Sequence, residues 1–186
     1  MATQPRRAIG RSFLWAAGVV GAVHAAFSLY WAAGGGWLLD TVGQGAVQLQ
    51  ESNPIGTAAL LLVVGAVKLA GASLPLIVEL RPVELRPGAR VRRTIRFLSW
   101  TGGGFLVVYG TVYALLSASV LNGLIAVSGE VDQRGLAGHA YLWDPLFALW
   151  GAALLVGTWL TRGPVPAAQD RRPRRSDPAP VTDSVR

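Results

Sequence analysis

Two ionisable side chains lie inside long apolar runs of this 186-residue chain, His24 and Lys68. An ionisable group in hydrocarbon is costly, so each marks a site for proton handling, ligand binding or buried hydrogen bonding. Their depths can be compared by helical rise. His24 lies about twelve residues, or ~18 Å, from the start of its apolar run. Lys68 lies about eleven residues, or ~17 Å, from the start of the next run, which travels the opposite way. In a hydrocarbon core of ~30 Å the two therefore share a level within a few ångströms. Tyr109, about twelve residues into the third run, reaches a similar depth. If their helix faces converge, His24, Lys68 and Tyr109 form a polar cluster at the bilayer midplane. Such a cluster is either a ligand or proton site, or structural glue in which Lys68 bonds a neighbouring Tyr or His.

A second group of candidates flanks the apolar runs. Tyr30, Trp31, Trp37 and Asp40 surround the Gly34-Gly35-Gly36 run, and Trp143-Asp144-Pro145 opens the last apolar segment. Asp before Pro at a helix start is a capping arrangement, since the carboxylate accepts backbone N–H groups left unpaired in the first turn. Capping alone accounts for Asp144. Asp40, Glu51, Glu130, Asp132, Asp144 and His139 could also line a mouth for a cation, but their spacing matches no compact ligand set. No metal or cofactor is predicted.

These residues need elements to hold them, and the hydropathy supplies four. The chain is 52% hydrophobic and only 15% charged, with mean hydropathy +0.41. Soluble domains carry roughly a quarter charged residues, and here the charges fall in blocks between apolar runs. The runs predict membrane spans at about 13–33, 57–78, 97–121 and 145–160. A basic arm at 1–12 precedes them, and a Pro-, Arg-, Asp- and Ser-rich tail at 162–186 is expected to be disordered. Cleavage of the first run as a signal peptide is the rival reading, opposed by an apolar run that continues past the small residues around His24.

Charge fixes the orientation expected of these spans. Arg6, Arg7 and Arg11 precede the first. Arg81, Arg86, Arg90, Arg92, Arg93 and Arg96 separate the second from the third. Arg162, Arg171, Arg172, Arg174, Arg175 and Arg186 follow the fourth. Only Arg134 and the intramembrane Lys68 remain of the 17 basic residues. The positive-inside rule then predicts a plasma-membrane protein with both termini cytoplasmic. The net charge of +7 is explained by anionic lipid headgroups along the basic connection and tail, not by nucleic acid.

Small residues at four-residue spacing predict packing faces: Gly18, Ala22 and Ala26 on the first span, Ala66 and Ala70 on the second, Ala153 and Gly157 on the fourth. Trp31, Trp37 and Trp143 are expected at one interface, and Trp100 and Trp159 at the other, as an aromatic belt.

Absences disfavour several functions. The chain has no cysteine, which removes disulfide, thiolate-metal and thiol-nucleophile chemistry. No carboxylate lies well inside a predicted span, as a proton-coupled exporter would want. A single intramembrane histidine cannot supply bis-histidine haem ligation. The glycine runs lack the context of a phosphate-cradling loop.

The segment Ser28-Leu29-Tyr30-Trp31-Ala32-Ala33-Gly34-Gly35-Gly36-Trp37-Leu38-Leu39-Asp40 resembles the signature of the domain of unknown function 3995 family, small bacterial four-span membrane proteins. Tyr141-Leu142-Trp143-Asp144-Pro145-Leu146 resembles that family's second motif. Tyr30, Trp31, Gly34, Gly35, Trp37, Asp40, Trp143, Asp144 and Pro145 match, while the family's histidine position holds Ser28, with His24 one helical turn earlier. The resemblance implies a four-span architecture over roughly residues 13 to 161, and the topology expected from charge puts both motifs on the outer side, where they are expected to meet. It carries no activity.

The expected fold is all-α, an integral membrane four-helix bundle with a disordered basic C-terminal tail. The expected function is that of a non-enzymatic membrane component binding a lipid, a small apolar ligand, a partner membrane protein or a second copy of itself. The competing class is a small transporter or lipid-active enzyme using His24 and Lys68 to handle protons.

Overall fold

The computed structural model describes residues 3–81, 85 and 87–162. The tail beyond Arg162, and Arg86 of the basic connection, fall outside the described residues. Four stretches are long and apolar enough to cross a bilayer: Gln4–Ala32, Pro54–Leu80, Ala89–Leu121 and Gln133–Thr161. They belong to helices α1 (Thr3–Ala32), α3 (Pro54–Leu80), α4 (Ala89–Leu121) and the pair α5 (Gln133–Gly138) and α6 (Asp144–Thr161), with a short α2 (Gln44–Ser52) between α1 and α3. The protein is an all-α membrane bundle.

The helices outrun their apolar runs, and in three of the four spans a local reason is visible. The basic arm expected before the first span is helical from Thr3, because Pro5 falls in the first turn, where its missing N–H has no partner to lose. Arg6, Arg7 and Arg11 are good helix formers. At 30 residues α1 is ~45 Å long, so its basic turns project past a ~30 Å core. α3 starts at Pro54 because Asn53 caps it, its Oδ1 accepting from the Gly56 N–H at 3.1 Å. The last span reaches back to Gln133 and is interrupted by a single π turn, His139–Trp143.

α1 packs against α3 on one side and α6 on the other, and α4 packs against α6, while α3 and α4 barely touch. The face α1 buries carries Leu14, Ala17, Gly21, His24, Ala25 and Ser28. The small-residue row is therefore Ala17, Gly21 and Ala25. Of the expected row, Gly18 is buried, but Ala22 and Ala26 face outward. On α3, Ala66 is exposed and Ala70 half-buried, whereas Ala153 and Gly157 of α6 are buried as expected. The phase of the row is as expected on α6 and differs on α1 and α3, since an Ala-rich helix offers several such rows. α4 and α6 approach backbone to backbone at Gly103 and Gly151, where a Cβ on Gly151 would come within 2.5 Å of the Gly103 carbonyl oxygen.

At the end that carries the described N and C termini, Arg96 pairs with Glu79 across α4 and α3 and donates to the Thr158 carbonyl of α6 at 2.8 Å. Arg96 was expected against headgroups. A carboxylate one residue from the end of α3, Glu79, turns it inward instead.

Candidate functional site

His24 is 2% exposed, and its Nε2 lies 3.2 Å from the Trp143 carbonyl. A carbonyl only accepts, so Nε2 carries the hydrogen and donates. Trp143 ends the π turn, an insertion that recurs at functional sites. The imidazole stacks on Phe147, centroids 3.9 Å apart and planes 14° from parallel. One turn along α1, the Ser28 hydroxyl donates to the His24 carbonyl at 3.3 Å, which leaves its oxygen to accept from Lys68 Nζ at 3.0 Å. Lys68 Nζ also stands 5.2 Å from the Phe147 ring centre. Tyr109 meets the same ring edge-on at 5.9 Å and stacks along α4 between Phe105 and Tyr113.

The structure thus gathers His24, Lys68 and Tyr109 around Phe147. Tyr109 joins through ring contacts. Phe147 and Ser28 were missed by sequence reasoning. Phe147 is apolar and carries no signal of chemistry, whereas Ser28 was flagged only as the family's histidine position. The helical repeat did hold the information: Ser28 is four residues from His24 and so must share its face.

Lys68 opens onto a cleft of about 380 Å³ where α3 and α4 part. Volumes of this order are typical of small-molecule sites. Leu74 and Pro75 of α3 face Leu98 and Phe105 of α4 across it, over a floor of Phe147, Trp150 and Leu154 from α6. Its lips, Val67, Leu98 and Phe105, are exposed on the outer surface of the bundle. Among the described residues that line it, Lys68 is the sole ionisable group and Ser99 the other polar side chain. Trp150 is 4% exposed, and its indole N–H has no acceptor among the described residues.

The opposite end of the bundle from the termini is a cap cross-linked by rings and hydrogen bonds, with a pocket of about 580 Å³ beside Trp37, Asp40, Glu51 and Arg134. After α1 the chain turns through the glycine run, takes a left-handed step at Leu38 (φ 61) and makes a 3-10 turn over Leu39–Thr41. Trp31 donates to the Trp37 carbonyl at 2.9 Å, and Trp143 donates to the Thr41 hydroxyl at 3.0 Å. Phe27 and Trp31 both meet Trp143 edge-on, at 5.0 and 5.3 Å. Trp31 and Trp143 are buried, not part of an interfacial belt; Trp37, Trp100 and Trp159 remain exposed. Tyr30 packs its ring on Gly35 and accepts a long bond from the Trp37 N–H at 3.4 Å. The two sequence motifs meet here.

The carboxylates at this end do not converge on a common point. Asp40 pairs with Arg134. Asp132 accepts from the Gly135 and Gln44 backbone N–H groups at 2.9 and 2.7 Å, which hold its carboxyl below the ordinary value of 3.8. Asp144, expected as a cap, makes no capping bond, because the helix continues upstream through the π turn. It is 1% exposed, and its Oδ2 accepts from His139 Nδ1 at 2.9 Å. His139 Nε2 lies 3.2 Å from the Val42 carbonyl. Both partners accept, so both bonds together need an N–H on each ring nitrogen, and Asp144 balances that charge. His139 therefore ties α1's exit segment to the π turn.

No curated protein and no solved structure matches the chain. The model of the protein of unknown function (DUF3995) family matches residues 21–154, a span that takes in both motifs, the Phe147 cluster and the whole lining of the cleft. The resemblance carried by Tyr30–Asp40 and Trp143–Pro145 is thereby established over most of the chain, and this membrane bundle belongs to the DUF3995 family.

Proposed function

We propose that the protein is a non-enzymatic binding component of the membrane that admits an apolar molecule sideways from the bilayer into the cleft between α3 and α4. The observation that carries this reading is the cleft itself: apolar walls, lips on the lipid-facing surface, and one fixed polar contact at Lys68. Apolar sites with a few placed polar groups are the usual form of ligand pockets. The cap supports it further, since His139, Asp144, Trp31 and Trp143 are consumed in holding the segment after α1 to the π turn.

The competing reading, a transporter or lipid-active enzyme, draws on the Lys68–Ser28 bond beside His24. It is weakened because Ser28 bonds the His24 carbonyl and not its ring, so among the described residues no direct side-chain hydrogen bond joins the amine to the imidazole.

In this reading the end bearing the termini is cytoplasmic and the membrane is the plasma membrane, by the distribution of arginine. Arg92 and Arg93 lie beside Phe97 and Trp100 on α4, a pairing of cations and aromatics suited to anionic headgroups, each cation contributing about 1 kcal/mol.

Native mass spectrometry of wild type and Gly102→Leu tests the cleft. Gly102 lines it, and a Cβ there would meet nothing within 4 Å, so the backbone has room for the larger leucine, which is placed to occupy the cleft. A defined apolar adduct on wild type that is lost from the folded variant is the expected result. No adduct, or one that survives Gly102→Leu, contradicts the reading.

A further inference from the structure

The chemistry of the ligand can be narrowed, resting on the cleft reading above. We infer that the cleft takes a long-chain carboxylic acid whose head meets Lys68 Nζ and whose chain lies between α3 and α4.

The chain treats its two cations nearest the cleft differently. Arg96, beyond the inner end, is given Glu79 and the Thr158 carbonyl. Lys68 is given one hydroxyl oxygen, from Ser28, and the face of Phe147. Among the described residues no carboxylate lies within 4.0 Å of it. An ammonium has three N–H donors, and a charge in a low-dielectric site needs a counter-charge or further acceptors. Lys68 is also held in place, because Ser28 is itself fixed by its bond to the His24 carbonyl. A positioned cation facing an apolar space fits an anionic head on an apolar body.

The head must also reach this depth. Lys68 is fourteen residues from the start of α3 at Pro54 and twelve from its end at Leu80, so it stands at the helix midpoint. Phosphate and sulfate esters would arrive there ionised. A carboxylic acid is neutral when protonated, with an ordinary value near 4 that burial raises, and so can pass through hydrocarbon uncharged before it releases its proton to solvent and pairs as the carboxylate with the Lys68 ammonium. From Lys68 to Pro75 the cleft wall runs seven residues, ~10 Å by helical rise, lined by Gly71, Leu74 and Leu98. The other polar groups of the lining are the Ser99 hydroxyl, which is spent on the Ile95 carbonyl, and the Trp150 indole N–H, and neither supplies a second charge, which points to a single anionic head.

The test uses the full-length protein in phosphatidylcholine nanodiscs, with hexadecanoic acid, hexadecan-1-ol and methyl hexadecanoate as probes. Affinities are measured for wild type, Lys68→Met, Lys68→Arg and Gly102→Leu. Wild type should bind the acid about tenfold tighter than the alcohol or ester, the ratio expected of one charge-assisted bond. Lys68→Met should bring the acid down to the level of the alcohol, Lys68→Arg should restore most of the preference, and Gly102→Leu should lose all three probes. Equal binding of acid, alcohol and ester by wild type overturns the carboxylate assignment and leaves the cleft reading standing. A preference for the acid that persists in Lys68→Met overturns it as well. Failure of wild type to bind any of the three overturns the cleft reading itself. The wild-type comparison alone decides the matter if Lys68→Met does not fold.

Discussion

Gly138 sits where α5 crosses the 3-10 turn after α1, and it tests whether the cap is a rigid lock. A Cβ at Gly138 would fall on the Thr41 carbonyl, far inside the 3.0 Å that real Cβ atoms do not breach. The obstacle is backbone, so relief requires the Leu39–Thr41 turn to move away from the π turn. That movement strains the Trp143 Nε1–H bond to Thr41 and the His139 bond to the Val42 carbonyl. Forcing extra volume into a close-packed site costs about 1–3 kcal/mol, and a lost hydrogen bond adds about 1 kcal/mol. Gly138→Ala should therefore destabilise the fold by about 2–4 kcal/mol. Gly102→Ala is the matched control: it adds the same methyl to open space on α4 and should be neutral or stabilising by about 0.5–1 kcal/mol. Denaturation in detergent, followed by tryptophan fluorescence, reports both, because Trp31 and Trp143 lie in the cap. Equal stability of the two variants would refute the account of the cap.

Three further outcomes follow from the geometry. His24→Leu removes the donor to the Trp143 carbonyl while keeping volume against Phe147, and should cost about 1–3 kcal/mol because the carbonyl stays buried; an unchanged denaturation midpoint would contradict the bond. Asp132 has its folded value lowered by the Gly135 and Gln44 N–H groups, so its contribution is present above about 3.8 and is lost as pH falls through the lower folded value. The stability gap between wild type and Asp132→Asn should therefore shrink below about pH 3.8, and a gap that is constant with pH would contradict the assignment. Finally, binding of a peptide spanning Arg90–Trp100 to anionic vesicles should weaken as salt rises; indifference to salt would remove headgroup contact as its explanation.

Much of the architecture was legible because bilayer crossing constrains composition and charge so tightly. The four spans followed from run length and from where arginine falls. Counting along antiparallel helices was enough to put His24, Lys68 and Tyr109 at one level. What the sequence could not supply was rotation. Gly18-Ala22-Ala26 and Ala17-Gly21-Ala25 are equally plausible rows on paper, and only packing against α3 and α6 chooses between them. Burial was hidden for the same reason: a tryptophan at a membrane interface and one inside an aromatic cap look alike in sequence, as Trp31 and Trp143 demonstrate. Asp144 misled because the Asp-Pro dipeptide suggests a helix start, whereas the π turn carries the helix straight through it and presents His139 to the carboxylate.

Photolabelling addresses the central claim, lateral uptake into the α3–α4 cleft, most directly. The protein in nanodiscs would be exposed to a long-chain carboxylic acid bearing a diazirine in its chain, irradiated, and mapped by peptide mass spectrometry. The account predicts labels concentrated on Leu74, Leu98 and Phe105, which line the cleft, and lost in Gly102→Leu. Labels spread evenly over outward-facing residues away from it, such as Val63, Val108 and Leu115, would mean that the acid sees only an ordinary lipid-facing surface, and would contradict the account.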